Sequence, residues 1–257
     1  MTPARVGDGR VSWSRPPDGG GGALASGAVL VLDDHQLVGT SLATALRRDG
    51  EDAHFVPAHS EIDVRRAVDG VVPGLLVLDL DLDLGRDERG RRVDTIPLIP
   101  ELRRAGWRIL VLSGSSNPLR IGAALHHGGF TWVPKSAAMP TLLVNIREAR
   151  AGRSLLKPTQ REELVRRYLE WDARQQSVRG RLAALTRRER EVLDLLAGGM
   201  RAQAIANHFV VSLPTVRTQV RAVLGKLEVG SQLEAVALVR SLDPGDDTPG
   251  VPAPGVR

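Results

Sequence analysis

Residues 28–34, AVLVLDD, are a short apolar run that ends in two aspartates. Three similar runs and one weaker run follow along the chain: GLLVLDL (74–80), WRILVLSG (107–114), FTWVPK (130–135) and, more weakly, DAHFV (52–56). Segments with helical spacing of their apolar residues lie between these runs. Continuous apolar strands that alternate with helices are typical of a parallel sheet covered on both faces. Residues 28–152 are therefore predicted to form a five-stranded, doubly wound α/β domain.

The C-terminal part of the chain has a purely helical pattern. Capping boxes are predicted to open helices at Thr159, Thr186 and Ser231. Residues 185–242 are predicted to form an all-α domain of four helices, one of which has an apolar stripe on one face (Val216, Val220, Val223 and Leu227). Residues 153–184 are predicted to be a helical linker, with a dimer contact as the alternative role.

Composition excludes several classes of protein. The chain has 257 residues and no cysteine, so disulfides, thiolate zinc sites and cysteine nucleophiles are absent. Its apolar runs are all shorter than a membrane helix, and the N-terminus lacks the apolar core of a signal peptide. We therefore expect a cytoplasmic protein. Residues 1–27 and 243–257 are rich in Gly and Pro and are predicted to be disordered.

Charge is distributed unevenly along the chain. Residues 28–152 hold 15 basic and 16 acidic residues, for a net charge of −1. Residues 181–242 hold nine basic and five acidic residues, for a net charge of +4. This asymmetry favours a nucleic-acid partner for the C-terminal domain, and a solvated basic surface is the alternative.

Polar residues follow four of the predicted strands. Asp33 and Asp34 end the first strand, Asp79 the third, Ser113 the fourth and Lys135 the fifth. In an open parallel sheet these strand ends meet at one edge, where ligands bind. Carboxylates that converge there would repel each other unless a cation neutralised them, and oxygen ligands favour Mg²⁺. Each residue taken singly has an alternative role, as a turn residue, helix cap or surface charge.

The same residues carry a family resemblance. VLVLDDHQLV, LLVLDLD, VLSGSS and WVPK resemble the receiver domain of NarL/FixJ-type two-component response regulators, which has a flavodoxin-like fold. The resemblance implies that Asp79 is the phosphoacceptor and that Mg²⁺ is bound by Asp33, Asp34, Asp79 and the backbone carbonyl of Asp81. It also implies that Ser113 and Lys135 contact the phosphoryl group. Trp132 corresponds to the switch aromatic, and its alternative role is that of a half-buried packing residue.

One stretch departs from the receiver pattern. After Asp79 the chain continues through Asp81 and Asp83 into RDERGRRVD (86–94), which is long for a strand–helix connection. The additional carboxylates would crowd the metal or bind it differently. VLDLDLD also resembles the haloacid-dehalogenase phosphatases, in which Asp79 would be the nucleophile and Asp81 the acid–base residue. That alternative lacks its final acidic pair, because 136–152 contains only Glu148.

Residues 185–238 resemble the LuxR-type helix-turn-helix domain over almost their whole length. The resemblance makes 213–226 the recognition helix. It implies that base edges or phosphates are contacted by Arg217, Thr218, Gln219 and Arg221, and phosphates by Thr215 and Lys226. Gln219 replaces the usual histidine, which affects base preference, and Thr215 has the alternative role of a first-turn cap partner.

Together the two resemblances predict a transcription regulator and not an enzyme. A sensor histidine kinase or small phosphodonor would phosphorylate Asp79 in the presence of Mg²⁺, and a homodimer would bind double-stranded promoter DNA. The alternative within this class is an atypical receiver that binds DNA without phosphorylation.

Overall fold

A computed structural model describes residues 27–86 and 92–240, with side chains described for all of these except 83–86, 92–93 and 240. The described chain forms two compact units, which divide between Arg166 and Arg167. This division falls inside the segment 153–184. The termini predicted to be disordered lie outside the described residues, apart from Gly27.

The first unit is built on seven strands. In chain order they are β1 (Val29–Asp33), β2 (Ala53–Pro57), β3 (Leu75–Asp79), β4 (Asp81–Arg86), β5 (Arg92–Asp94), β6 (Arg108–Ser113) and β7 (Thr131–Pro134). Five of them form a parallel sheet in the order β2-β1-β3-β6-β7. The predicted five-stranded parallel sheet is therefore confirmed.

Helices cover the sheet and close its core. They are α1 (Gln36–Arg48), α2 (Glu61–Val68), α3 (Ile99–Arg104, preceded by a 3₁₀ turn at Ile96–Leu98), α4 (Pro118–His126) and α5 (Met139–Arg150). Every residue of β1 and β3 is buried, which explains why these strands are apolar up to their terminal aspartates instead of alternating. On one face, strand residues pack against Leu42 and Leu46 of α1 and against Leu142 and Ile146 of α5.

The stretch after Asp79 is not a plain loop. Strands β4 and β5 pair in antiparallel fashion, with Asp81 opposite Asp94 and Leu82 opposite Val93. The alternation of acidic and apolar residues in DLDL, with a period of two, is the sequence signal for such a strand. The pair forms a separate two-stranded sheet beside the main one. Residues 87–91 of the predicted long connection lie outside the described residues.

The second unit is entirely helical among its described residues. Its helices are the C-terminal part of α6 (Pro158–Ala183), α7 (Arg187–Ala197), α8 (Ala202–Phe209), α9 (Leu213–Leu227) and α10 (Gln232–Arg240). The predicted four-helix domain is present, and α6 adds Val178 and Leu182 to its core. Helix α6 begins before Thr159, so Thr159 lies in its first turn and does not cap it.

Local signals in the sequence set the ends of these helices. The capping box of α7 is complete, because Glu189 N–H donates to Thr186 Oγ1 and Thr186 N–H donates to Glu189 Oε2. Ser212 Oγ caps α9 by accepting from Thr215 N–H. Helix α7 ends at Gly198-Gly199, where Gly199 has a φ of +83°.

Candidate functional site

Acidic residues converge at the carboxyl edge of the main sheet. Neighbouring parallel strands β1 and β3 end in Asp33 and Asp79, and Asp34 follows β1 directly. All three residues are buried. Ligand atoms of Asp33, Asp34, His35 and Asp79 lie within 4.8 Å of one another. The structure thus brings together the three carboxylates that the sequence placed at this edge.

Lys135 lies directly against this cluster. It follows β7, and its Nζ lies 2.6 Å from Asp79 Oδ2 and 3.0 Å from Asp33 Oδ1. Burial lowers the pKa of Lys135, but the attraction of Asp79 and Asp33 outweighs burial, and the net shift is upward. The ammonium group is therefore held in its charged form between two carboxylates.

Asp79 has a strongly shifted pKa. Burial raises the pKa of its carboxyl group to about 7, and the charge of Lys135 only partly opposes this rise. The Asp81 N–H donates to Asp79 Oδ1 at 3.1 Å, and the Thr95 hydroxyl donates to the Asp79 backbone carbonyl at 2.7 Å. Asp79 is thus fixed at both its side chain and its backbone.

The donor set fits a hard divalent cation. Asp33 Oδ2 is buried and has no hydrogen-bond partner, although its residue lies beside two other carboxylates. Buried polar atoms are nearly always satisfied, so an unpartnered carboxylate oxygen indicates a missing positive partner. Carboxylate oxygens are the ligands that Mg²⁺ and Ca²⁺ prefer. The cluster therefore offers a site for such a cation.

His35 belongs to the cluster and was not among the predicted site residues. Its backbone N–H donates to Asp33 Oδ1 at 2.8 Å, and its Nδ1 lies 2.5 Å from Asp34 Oδ1. The hydrogen bond with Asp34 raises the pKa of the imidazole. The sequence signal was its position directly after the two aspartates.

Ser113 and Asp81 lie beside Asp79 and contact each other. Ser113 Oγ lies 3.3 Å from Asp81 Oδ2 and 2.8 Å from the Ser115 carbonyl. The Asp81 carboxylate is not among the cluster residues, and it pairs with Arg120 at 2.9 Å. Arg120 is a second residue that the sequence did not reveal, since it follows Asp81 by 39 positions.

Trp132 is completely buried in β7. Its Nε1 is buried and has no hydrogen-bond partner. This position differs from the half-buried environment of the packing alternative, and it leaves an indole donor available inside the first unit.

The candidate nucleic-acid surface is the exposed face of α9. The apolar stripe of Val216, Val220, Val223 and Leu227 is buried against the other helices, as predicted. Exposed side chains include Thr215, Arg217, Thr218 and Arg221. Arg217 and Arg221 are one helical turn apart, so they share a face.

Three of the predicted contact residues have internal partners or are partly covered. Thr215 Oγ1 lies 2.8 Å from Ser212 Oγ, which agrees with its alternative role at the cap. Lys226 Nζ lies 2.6 Å from Glu189 Oε2 and so ties α9 to α7. Gln219 is half-buried, and its Oε1 has no hydrogen-bond partner.

No helix in residues 27–86 or 92–240 is long and apolar enough to cross a membrane.

Comparison with known proteins gives a family match within the second unit. Residues 183–239 match the family described as bacterial regulatory proteins, luxR family. The match covers α7 to α9 and most of α10, including every residue predicted to contact DNA.

Two relatives are similar over most of the chain. Transcriptional activator protein ExaE of Pseudomonas putida is 29% identical over 214 residues, which are 82% of this chain and 94% of ExaE. The DNA-binding transcriptional activator DevR/DosR of Mycobacterium tuberculosis is 29% identical over 222 residues, which are 85% of this chain and 98% of that protein.

A solved structure of the RcsB response regulator of Salmonella typhimurium is 24% identical, with a TM-score of 0.43, and covers 84% of this chain and 99% of RcsB. The acidic sheet edge and the luxR-family match are found in this chain without reference to the RcsB structure. Residues 183–239 therefore match the luxR family of bacterial regulatory proteins, and they follow a five-stranded parallel sheet with an acidic carboxyl edge.

Proposed function

We propose that this protein is a transcription regulator whose first unit accepts a phosphoryl group on Asp79 and whose second unit binds promoter DNA. The observation that carries the proposal is the buried cluster of Asp33, Asp34 and Asp79, with Lys135 Nζ 2.6 Å from Asp79. The carboxylates, one of which has the unpartnered Asp33 Oδ2, would bind a metal ion at this sheet edge. The Lys135 ammonium group beside them would bind the phosphoryl group.

Mg²⁺ would be held by the carboxylates of Asp33, Asp34 and Asp79 and by the backbone carbonyl of Asp81. When bound, it supplies positive charge that neutralises the oxygens of the transferred group. The Lys135 ammonium contributes a second positive charge, which lies between Asp79 and Asp33.

Asp79 acts as the nucleophile of the transfer. One of its carboxylate oxygens attacks the phosphorus of the donor, and the bond from phosphorus to the donor breaks as the acyl phosphate bond forms. Lys135 stabilises the phosphoryl oxygens, and the Ser113 hydroxyl turns from the Ser115 carbonyl to donate to them. Trp132, buried in β7 with a free indole donor, is proposed to transmit the change.

Helix α9 would bind the major groove of DNA. Arg217 and Arg221 are exposed on the face that also presents Thr218, and arginine pairs with guanine N7 and O6. Gln219 would pair with adenine only after its side chain leaves its half-buried position. Thr215 and Lys226 are proposed as phosphate contacts that position the helix.

The partners follow from this chemistry. A sensor histidine kinase or a small phosphodonor in the cytoplasm would supply the phosphoryl group. A homodimer would place two recognition helices on half-sites about 34 Å apart, one turn of DNA.

The phosphorylation can be tested by incubation with acetyl phosphate and Mg²⁺, followed by intact-mass measurement. We expect one phosphoryl adduct on the wild type and none on Asp79→Asn. The absence of an adduct on the wild type would refute the proposal for the first unit. An adduct that persists on Asp79→Asn would place the phosphoacceptor elsewhere.

DNA binding separates the two regulator hypotheses. If phosphorylation controls the protein, phosphodonor raises the affinity of the wild type for its operator and leaves that of Asp79→Asn unchanged. Equal affinities of the wild type and Asp79→Asn, with and without phosphodonor, would instead show an atypical receiver that acts without phosphorylation.

The pairing of Asp81 with Arg120 disfavours the phosphatase alternative, in which Asp81 would have to donate a proton.

A further inference from the structure

The two strands after Asp79 bring two carboxylates opposite each other. Asp81 of β4 and Asp94 of β5 are direct partners in the antiparallel register. Like charges at directly opposed positions destabilise a strand pair. A compensating positive charge is therefore needed at this point of the fold.

Arg120 of α4 supplies that charge. Its Nη2 lies 2.9 Å from Asp81 Oδ1 and 3.4 Å from Asp94 Oδ1. The same nitrogen lies 3.4 Å from the backbone carbonyl of Leu80. One guanidinium group thus binds both carboxylates and the residue between Asp79 and Asp81.

The pair of Arg120 and Asp81 is largely removed from water. The side chain of Arg120 is 23% exposed and that of Asp81 is 16% exposed. Ion pairs of this kind are weakly screened, and removal of one partner leaves the other as an uncompensated charge. Loss of Arg120 would therefore leave the Asp81 carboxylate in need of a new cation.

The nearest cation site is the one beside Asp79. Asp81 is two residues from Asp79 and already donates its N–H to Asp79 Oδ1. Its carboxylate nevertheless lies outside the cluster of Asp33, Asp34, His35 and Asp79. It is paired with Arg120 instead.

We propose that Arg120 is a positioning residue for phosphoryl transfer, which acts by holding the Asp81 carboxylate away from the cation cluster of Asp33, Asp34, His35 and Asp79. The inference rests on the proposed phosphorylation of Asp79. A freed Asp81 carboxylate would add negative charge beside Asp79, and this charge would bind the cation more tightly and repel the anionic phosphodonor.

A double-mutant cycle tests the proposal on the full chain. The four proteins are the wild type, Arg120→Ala, Asp81→Asn and the double variant. Asp81→Asn removes the charge and keeps the backbone carbonyl. The readouts are the Mg²⁺ dissociation constant from calorimetry and the initial rate of adduct formation with acetyl phosphate.

In the wild-type background, Arg120→Ala should tighten Mg²⁺ binding about tenfold and slow adduct formation about tenfold. In the Asp81→Asn background, the same change should alter either quantity by less than about twofold. Arg104→Ala is the matched control, because it removes an exposed guanidinium from the same unit and should change neither readout.

Two results would overturn the proposal. One is an equal loss of adduct formation on removal of Arg120 in both backgrounds, since Arg120 would then act without Asp81. The other is an unchanged Mg²⁺ dissociation constant in Arg120→Ala. If Arg120→Ala does not fold, Arg120→Gln runs the same cycle with a side chain that still fills part of the space.

The calorimetric readout keeps this inference separate from the proposed function. If the wild type binds Mg²⁺ but forms no adduct, the proposed phosphorylation fails, while the dependence of Mg²⁺ affinity on Arg120 and Asp81 still decides whether Arg120 controls the site.

Discussion

At the scale of single residues, Val210 has an unfavourable backbone conformation and Asp79 has an unfavourable buried charge. Val210 caps α8 in the left-handed region, with a φ of +54°, and is 90% exposed. Asp79 is a carboxyl group in a fully buried position beside Asp33. Because each residue destabilises the fold where it lies, a suitable substitution at either position should raise the free energy of unfolding.

Replacement of Val210 by asparagine should stabilise the second unit. The left-handed conformation costs a residue with a Cβ atom roughly 1–2 kcal/mol, and asparagine tolerates it far better than a β-branched residue. We expect Val210→Asn to raise the free energy of unfolding by about 1 kcal/mol, as measured by urea unfolding.

Val72→Asn is the control for this prediction, because Val72 is also exposed but has a negative φ. It should give no comparable gain. An unchanged or lower stability of Val210→Asn would mean that the left-handed backbone is not a cost at this position.

Replacement of Asp79 by asparagine should have a pH-dependent effect in the absence of metal. The pKa of Asp79 rises from 3.8 to about 7 on folding, so between these pH values the folded state holds a proton that the unfolded state has lost. The resulting stabilisation is complete below pH 3.8 and disappears as the pH rises through about 7. Asp79→Asn, which has no charge to bury, should therefore gain stability relative to the wild type between these two pH values and keep that gain above them.

Urea unfolding of both proteins in the presence of a chelator measures this difference. Addition of Mg²⁺ at pH 8 should stabilise the wild type more than Asp79→Asn, because the cation binds the ionised carboxylate. A difference that does not depend on pH would show that Asp79 titrates alike in both states.

At the scale of elements, one carboxylate links the N-terminal cap of α7 to the C-terminal end of α9. Glu189 completes the capping box of α7 and also lies 2.6 Å from Lys226 of α9. The hydrogen bond from Lys226 lowers the pKa of Glu189, and the backbone hydrogen bond from Thr186 lowers it further. Lys226 was predicted as a phosphate contact, so bound DNA would compete with Glu189 for this ammonium.

Glu189→Gln should lower the free energy of unfolding by about 0.3–1 kcal/mol at pH 7, because glutamine can still close the capping box but lacks the charge that pairs with Lys226 and favours a helix N-terminus. Because the pKa of Glu189 is lowered on folding, its contribution is present above the ordinary value of 4.5 and disappears as the pH falls through the lower folded value. Thermal unfolding from pH 7 to pH 3 should thus show the variant and the wild type converging in acid. Stability curves that stay parallel would assign the loss to packing.

At the scale of the whole molecule, the two units differ in net charge. The acidic sheet edge lies in a unit of nearly balanced charge, and the exposed arginines of α9 lie in the basic one. The whole-chain charge of +5 hides this division.

Arg217→Ala tests what the basic face does. If Arg217 pairs with a base, its loss should weaken binding to the operator by about 1–3 kcal/mol and affect random DNA much less. If it contacts only phosphate, both DNAs should lose affinity equally, and the salt dependence of binding should become less steep. Fluorescence anisotropy at several salt concentrations distinguishes these outcomes, with Arg201→Ala, an exposed arginine outside α9, as the control.

The sequence by itself determined the sheet, its helices and the residues at the strand ends. These features depend on local patterns: Val29 to Leu32 is apolar throughout because both faces of β1 are buried, and Thr186 and Glu189 cap a helix through contacts three residues apart. Tertiary structure alone decided which charges meet. Arg120 binds Asp81 and Asp94 across separate elements, and Lys226 binds Glu189 in the same way. Such pairs are set by the packing of α4 on the sheet and of α9 on α7, and short-range periodicity carries no information about them.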